Sequence, residues 1–491
     1  VSDVPAFDTS VRDGQLQSPT PITGIPVVIG CSSSGTVATA YFYANGNDAL
    51  DALGMGPLTE VGMGVIQAAG GAILLKLTGS VAATNTSVTA TRVGSSVGTV
   101  TVSGAAYRDY RARVVITETT SALGSGKFKY SLDNANTYSE LITIPSGGTY
   151  VMPESGLTLT FNLQSGTPDF EAGDVHTFTS TCAHWNTTNL SAGITALLAS
   201  PLLLGRKIEQ VYFTGIPVDA ATAATNAAAI ATHMSTLEGL DHFARALMDG
   251  GSLDSAATYL SGYVAAFSDT RVEPCYGRCE MTSPAPIAGF GLPYVSCLQP
   301  AAIRAAGAEI SENLGRVLSG PLRGVKATTL GFDEEKQAAF TNDDKTLTLR
   351  TNRNLVGGAY ITNAFLKSGA GSDFTRWDYG RTLDRACSNI VRGLAPWTLE
   401  KLRALTDGTG YLDPRDAARV KKSVDILLFA AMAGPTKSGL PKHVSGQEFT
   451  VETAYDFITL NKLKATYRMV PTVAVEGADI VVGLTRQLEA A

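Results

Sequence analysis

Charge is scarce in this chain. Of its 491 residues 17% are Asp, Glu, Lys or Arg, and the net charge is −6. No run of lysine and arginine is dense enough to follow a phosphate backbone, so direct nucleic-acid binding is not expected. Histidine is scarcer still, with five in all: His176, His184, His233, His242 and His443. They form no HExxH or HxH pattern, which leaves metal-hydrolase chemistry without a footing. An uninterrupted apolar run of about 20 residues is also missing. VDILLFAAMAG at 424–434 is too short to cross a bilayer, so no stable membrane insertion is expected. The opening VSDVPAFDTSVRDGQLQ has no basic segment followed by an apolar one, and no secretory signal is expected in it.

Cysteine is sparse and scattered: Cys31, Cys182, Cys275, Cys279, Cys297 and Cys387. That dispersal argues against a secreted disulfide scaffold. The CYGRC spacing of Cys275 and Cys279 lacks a second cysteine pair and a following histidine, so buried free thiols are expected, a local bridge stays open, and neither metal nor cofactor is implied. GCSSSG (30–35) has the wrong glycine spacing for a nucleophile elbow and lacks the Gly-Lys-Ser/Thr ending of a phosphate loop. The carboxylates of DEE (333–335) and NDD (342–344) read as a helix start and a solvated turn. The expectation is a protein that is not an enzyme.

What the chain has is apolar material, 44% of it, with 50 glycines and 21 prolines. This suffices for two to four packed domains of ordinary size. Residues 1–24 read as an extended arm. GIPVVIGCSSSG (24–35) is a buried strand entering a turn, followed by helical spacing at 47–54 and 58–70 and a strand at 71–79. From 81 to about 187 the chain is rich in Thr, Val, Ser and Gly. Strands are expected at 99–104, 110–119, 127–133, 139–145, 157–162 and 174–181, forming an inserted, surface-exposed antiparallel β-domain. In GKFKYSLDNANTYSELITI (126–144), Phe128, Tyr130 and Leu132 share one face, and Asp133–Asn136 supply the turn of a hairpin.

Residues 188–330 alternate strand and helix as a middle α/β domain, with strands at 208–217, 242–250 and 271–277 and helices at 189–200, 219–240, 253–267 and 300–314. In 331–491 a short helix is expected at 332–344, a strand pair at 346–350 and 357–366, and two helical segments around Pro396 within 378–405. An amphipathic helix follows over 413–434, started by Asp413 or Asp416 and ended near Gly434, and the chain closes in two or three strands over 455–488. Trp377 reads as an anchor of a helix end against a core. Arg415, Arg419, Lys421 and Lys422 form the basic side of the 413–434 helix, its apolar side including Val424, Ile426, Leu427 and Phe429. That basic side is either a solvated face or a docking face for an acidic partner.

These segments together resemble the contractile-tail sheath family of long-tailed bacteriophages and related injection machines. SPTPITGIPVVIGCSSSG resembles the sheath opening. FDEEKQAAFTNDDKTLTLRTNRNLVGGAYITNAF, FTRWDYGRTLDRACSNIVRGL and TYRMVPTVAVEGADIVVGLTRQL resemble the C-terminal sheath region. The resemblance covers about 15–80 and 320–491. It implies an α+β/α/β multidomain protein with a tail-sheath-like inner core made from the N- and C-terminal segments (25–80 and 331–491), and the β-domain and middle domain inserted between them. It further implies a virion subunit that forms hexameric rings in a helical stack around an inner tail tube protein, between baseplate and tail terminator proteins. Arg415, Arg419, Lys421 and Lys422 would face the tube. Val4, Phe7, Val11, Leu16, Ile480, Val481, Val482 and Leu484 would lie in strand arms joining neighbouring subunits. Other readings stay open: another tail or virion ring or shell protein, a hydrolase using the middle domain, and a carbohydrate-binding protein using the β-domain.

Overall fold

The computed structural model describes residues 24–472 apart from 133–134, 136, 154, 167, 216–219, 251–259, 265–266, 283–293, 329–345, 352–357, 363, 369–371, 373–374, 434–442 and 461. The chain enters through β1 (Ile25–Gly30), then β2 (Ala40–Tyr43), α1 (Gly46–Leu53), α2 (Pro57–Ala69) and β3 (Ala72–Lys76). IPVVIG and AILLK show no alternation because both faces of these strands are covered: Val27, Val28, Ile29, Ile73, Leu74 and Leu75 are all fully buried. Helix α2 begins with Pro57 in its first turn and ends at Gly70 in the left-handed conformation. It lies flat on the sheet, and a Cβ on Gly62 would come within 2.8 Å of Leu74.

The β-rich region supplies β4 (Thr84–Asn85), β5 (Thr89–Thr91), β6 (Thr99–Gly104), β7 (Tyr110–Ile116), β8 (Lys127–Ser131), β9 (Ile142–Thr143), β10 (Thr149–Met152), β11 (Leu157–Asn162) and β12 (Val175–Thr181). They form two antiparallel sheets, ordered β10-β11-β6 and β4-β12-β7-β8-β9, with β5 also on β12. Strands β7, β11 and β12 bury alternate residues against a core of their own, in which the Phe128 and Phe161 rings meet tilted at 4.7 Å and Phe161 and Phe170 edge-on at 5.8 Å. Strand β8 pairs with β9 as the hairpin reading requires, and Phe128, Tyr130 and Leu132 are buried together. Most of the expected turn lies outside the described residues. Strands β4 and β5 are too short and too polar to have been visible in the sequence, and β10 is too short, at four residues.

Next come α3 (Thr187–Leu198), β13 (Ile208–Phe213), α4 (Ala220–Gly239), β14 (Arg245–Asp249) and β15 (Val272–Cys275). Their strands join β1–β3 in one six-stranded sheet, ordered β15-β14-β13-β1-β3-β2, parallel except for β2. Segments 25–80 and 188–330, separate units in the sequence reading, therefore share a sheet. The physical reason is that β1 and β3 are apolar on both faces, and so few strands cannot shelter each other without further neighbours. Helices α3 and α4 cover one face and α1 and α2 the other, the latter joined by α5 (Leu298–Gly307). Helix α5 stops at Gly307, well short of the expected 314, and Ala308 is extended. Most of the helix expected at 253–267 lies outside the described residues, and Leu260–Val264 forms a single π turn.

Strands β16 (Arg278–Met281), β17 (Tyr294–Ser296) and β18 (Val325–Thr328) make a small antiparallel sheet, and β19 (Leu349–Thr351) pairs with β20 (Ala359–Ile361) close to the expected positions. The helix expected at 332–344 lies outside the described residues. The chain then forms α6 (Trp377–Leu394), a 3-10 turn, α7 (Pro414–Leu428), a π turn at Phe429–Ala433, and the ribbon β21 (Val444–Val451) with β22 (Ala465–Pro471). A second helical segment after Pro396 does not form. The Arg403 backbone N–H donates to the Asp416 carboxylate (2.8 Å), and Leu405 donates to the Tyr411 carbonyl (2.7 Å), so tertiary partners take the bonds a helix would need. Among the described residues, no helix is long and apolar enough to cross a membrane.

Candidate assembly surfaces

Helix α6 is built from WDYGRTLDRACSNIVRGL, a sequence that looks solvated, yet its charges point into the molecule. Asp384 pairs with Arg245 of β14 at 2.8 Å and with Arg271 at 2.9 Å, and Arg271 reaches Glu238 of α4 at 2.6 Å. On the same helix Arg385 pairs with Glu209 of β13 at 2.6 Å, and Arg381 stands 3.9 Å from that carboxylate. Arg245, Asp384 and Arg381 are almost fully buried. Burial pulls the Arg245 guanidinium below its ordinary pKa, and Asp384 works against that shift. A Cβ at Gly380 would collide with the Arg245 guanidinium, so glycine there is what lets the helix settle onto the sheet. Trp377 at the start of α6 is fully buried in the core, in keeping with an anchoring role.

Helix α7 is capped by Asp413, whose carboxylate accepts from the Arg415 N–H at 2.8 Å. Asp416, the other candidate, is buried, and hydrogen bonds from Arg403 and Arg419 hold its carboxyl well below the usual range. Ala417, Val420, Val424, Leu427 and Leu428 face inward. The opposite stripe carries Arg415, Arg419, Lys422, Ile426 and Phe429, spaced at helical intervals. Ile426 is 41% and Phe429 58% exposed, so the expectation that both belong to the apolar, core-facing side is corrected. An apolar run over 424–429 wraps the helix, and only Val424, Leu427 and Leu428 find a core to enter. Lys421 departs from the other three basic candidates: it reaches Asp425 at 2.8 Å and the Phe449 carbonyl at 2.6 Å, tying α7 to the ribbon. Arg419 lies over the Trp397 ring at 5.3 Å. Gly434 is outside the described residues.

The ribbon packs Val444, Phe449, Tyr467 and Met469 against α6 and α7. Its strands pair from Val444↔Pro471 to Val451↔Ala465, and among the described residues neither outer edge has a strand partner. The two described ends of the chain approach one place. Gly24 and His443 line a single cleft of about 380 Å³ together with Glu209, Arg381 and Arg385, and Thr472 donates to the His443 carbonyl at 3.2 Å. The eight arm residues, Val4, Phe7, Val11, Leu16, Ile480, Val481, Val482 and Leu484, lie outside the described residues.

Elsewhere, His233 meets the Ser191 hydroxyl at 3.1 Å, but that hydroxyl also bonds the Thr187 carbonyl within its own helix (3.0 Å). His242 accepts from the Ile208 N–H at 3.2 Å, a structural bond. Cys275 and Cys279 are free and buried. Sequence reasoning missed the buried charges of α6, because Arg and Asp at helical spacing read as surface.

No family model matches the chain, and no curated protein does. Solved structures do. A sheath tail protein from Desulfitobacterium hafniense is 13% identical, with 92% of this chain and 96% of that one covered and a TM-score of 0.46. A sheath tail protein from Listeria innocua is 10% identical over the same shares, with a TM-score of 0.42. A protein of the anti-feeding prophage baseplate in its contracted state is 12% identical, with 97% of this chain and 96% of that one covered and a TM-score of 0.50. Over the matched length, the chain shares its overall fold with that component of the contracted baseplate.

Proposed function

We propose that this chain is a non-enzymatic structural subunit of a contractile tail sheath in a virion tail. It polymerises as stacked hexameric rings around an inner tube protein, between baseplate and terminator proteins, and its contraction drives the tube through the target envelope. The observation that carries this reading is the fold likeness over 97% of the chain to a component of a contracted baseplate.

Physical features support it. A two-stranded ribbon is marginal alone and has two edges able to accept strands. The segments before Gly24 and after Thr472 start beside one cleft, so both can be offered to neighbours from one corner of the subunit. Residues 4–20 and 481–488 are then the joining strands. On α7, Arg415, Arg419 and Lys422 form the tube-facing charge, with Ile426 and Phe429 beside them as the apolar part of that contact. Lys421 serves the ribbon. A stack of rings requires head-to-tail contacts, and contraction requires two packings of one subunit.

Negative-stain electron microscopy over a concentration series tests the reading. Hollow tubes or stacked rings with sixfold end views are expected from the full chain, and a folded monomer without extended assemblies from a chain lacking residues 1–20. Normal polymerisation of the truncated chain would sink the arm assignment.

A further inference from the structure

The β-module joins the rest of the molecule through a narrow neck. Val81, on the way in, and His184, on the way out, pair as an isolated antiparallel bridge. Inside the module Ser180 of β12 stands opposite Tyr110 of β7, so the residues just beyond, Asp109 and Cys182, meet at the end of the ladder. The Cys182 N–H donates to Asp109 Oδ1 at 2.9 Å. Cys182 Sγ, an Asp109 carboxylate oxygen and a His184 ring nitrogen all lie within 4.8 Å of one another. Three donors of different chemistry, from positions 73 residues apart in sequence, converge where two segments cross.

We propose that Asp109, Cys182 and His184 form a binding site for a thiophilic divalent cation, Zn²⁺ by its ligand chemistry. One thiolate, one imidazole and one carboxylate make a donor set that zinc takes and that calcium or magnesium does not favour. Ligand atoms around zinc at ~2.0–2.3 Å stand about 3.3–3.8 Å apart, so the three side chains close in by roughly 1 Å on binding. A cavity of about 40 Å³, lined by Asp109 and Cys182, lies beside the cluster and has room for a water as a fourth ligand.

Arg278 of β16 pairs with Asp109 Oδ2 at 2.5 Å. A carboxylate offers about four lone-pair directions, and Arg278 and the Cys182 N–H each take one of them. Arg278 thus acts as an outer partner that orients the carboxylate and offsets the second ligand anion. Beside it, Arg108 pairs with the buried Glu60 of α2 at 2.6 Å, so the charges of the neck are already balanced by the core. The bound ion would staple the module's neck with its ladder end.

The test uses the full chain, reduced, with Co²⁺ as a spectroscopic probe and Zn²⁺ as the competitor. One Co²⁺ per chain is expected, with a thiolate-to-cobalt charge-transfer band that Zn²⁺ abolishes. Cys182→Ser should remove the band, His184→Gln should weaken binding at least tenfold, and Cys279→Ser should leave both unchanged. Far-ultraviolet circular dichroism establishes that each variant is folded. Should Cys182→Ser fail to fold, His184→Gln decides alone. A folded wild-type chain that gives no band, or a band that persists in folded Cys182→Ser, overturns the site.

Discussion

The six-stranded sheet and the β21–β22 ribbon treat their edges in opposite ways. The sheet is blunted at both sides. Its β2 edge is four residues long, and its β15 edge contains Pro274 and is partly covered by a bridge from Cys275 to Leu347. The ribbon's strands are eight and seven residues long, with no strand partner on either outer edge among the described residues. The sheet is also held from within by buried ion pairs to α6, whereas the ribbon rests on one small cluster around Phe449. Among the described residues, one part of the molecule closes its edges with its own chain, and the other leaves its edges open. Under the proposed sheath reading, the closed sheet would keep its shape while the open ribbon edges take strands from neighbours.

The largest effect should come from breaking the sheet's charged lock. Asp384→Ala leaves Arg245 buried without its main partner, and a loss of about 3–5 kcal/mol is expected in urea unfolding. A loss below about 1 kcal/mol would mean that the Asp384 pairs contribute little to holding α6 on the sheet.

Next in size is a pH effect in the β-module, which stands between the two extremes as a self-contained unit. His176 is buried beside Phe170, and burial lowers its pKa from 6.5 to about 4. The unfolded chain takes up the proton below 6.5 while the folded one refuses it until about 4. This contribution is therefore fully present above pH 6.5, is lost as pH falls towards 4, and amounts to roughly 3 kcal/mol at 1.36 kcal/mol per unit. Unfolding followed at pH 7, 5.5 and 4 should show that excess slope over His176→Leu. Identical slopes in the two proteins would refute it.

The smallest effect on folding belongs to the exposed stripe of α7. Ile426→Glu with Phe429→Glu should shift stability by no more than about 0.5 kcal/mol per site, as exposed positions do. The same change should reduce assembly around a tube. Loss of folding instead would place these side chains in the core after all.

These contrasts also show what the sequence could carry. Alternation over 110–116, 157–162 and 175–181 reported half-buried strands, and continuous apolar runs at 25–30 and 72–76 reported doubly covered ones. The helix start was legible as one of two residues, Asp413 or Asp416, because capping is local, and the structure selects Asp413. Which strands become neighbours was not, since β1 pairs with β13 across some 180 residues and a strand's period says nothing of its partner. The inward turn of Arg381, Asp384 and Arg385 was hidden for the same reason: their partners Glu209, Arg245 and Arg271 lie on distant segments. The neck cluster escaped notice because Asp109 and Cys182 meet only through the β7–β12 register.

The most direct test of the central claim is a cryo-electron-microscopy map of the assembled full chain at a resolution that traces strands. The ribbon should carry added strands from neighbouring subunits on its outer edges, about 4.8 Å from β21 or β22, and these should trace to residues 4–20 or 481–488. An ordered assembly in which both ribbon edges face solvent would contradict the account.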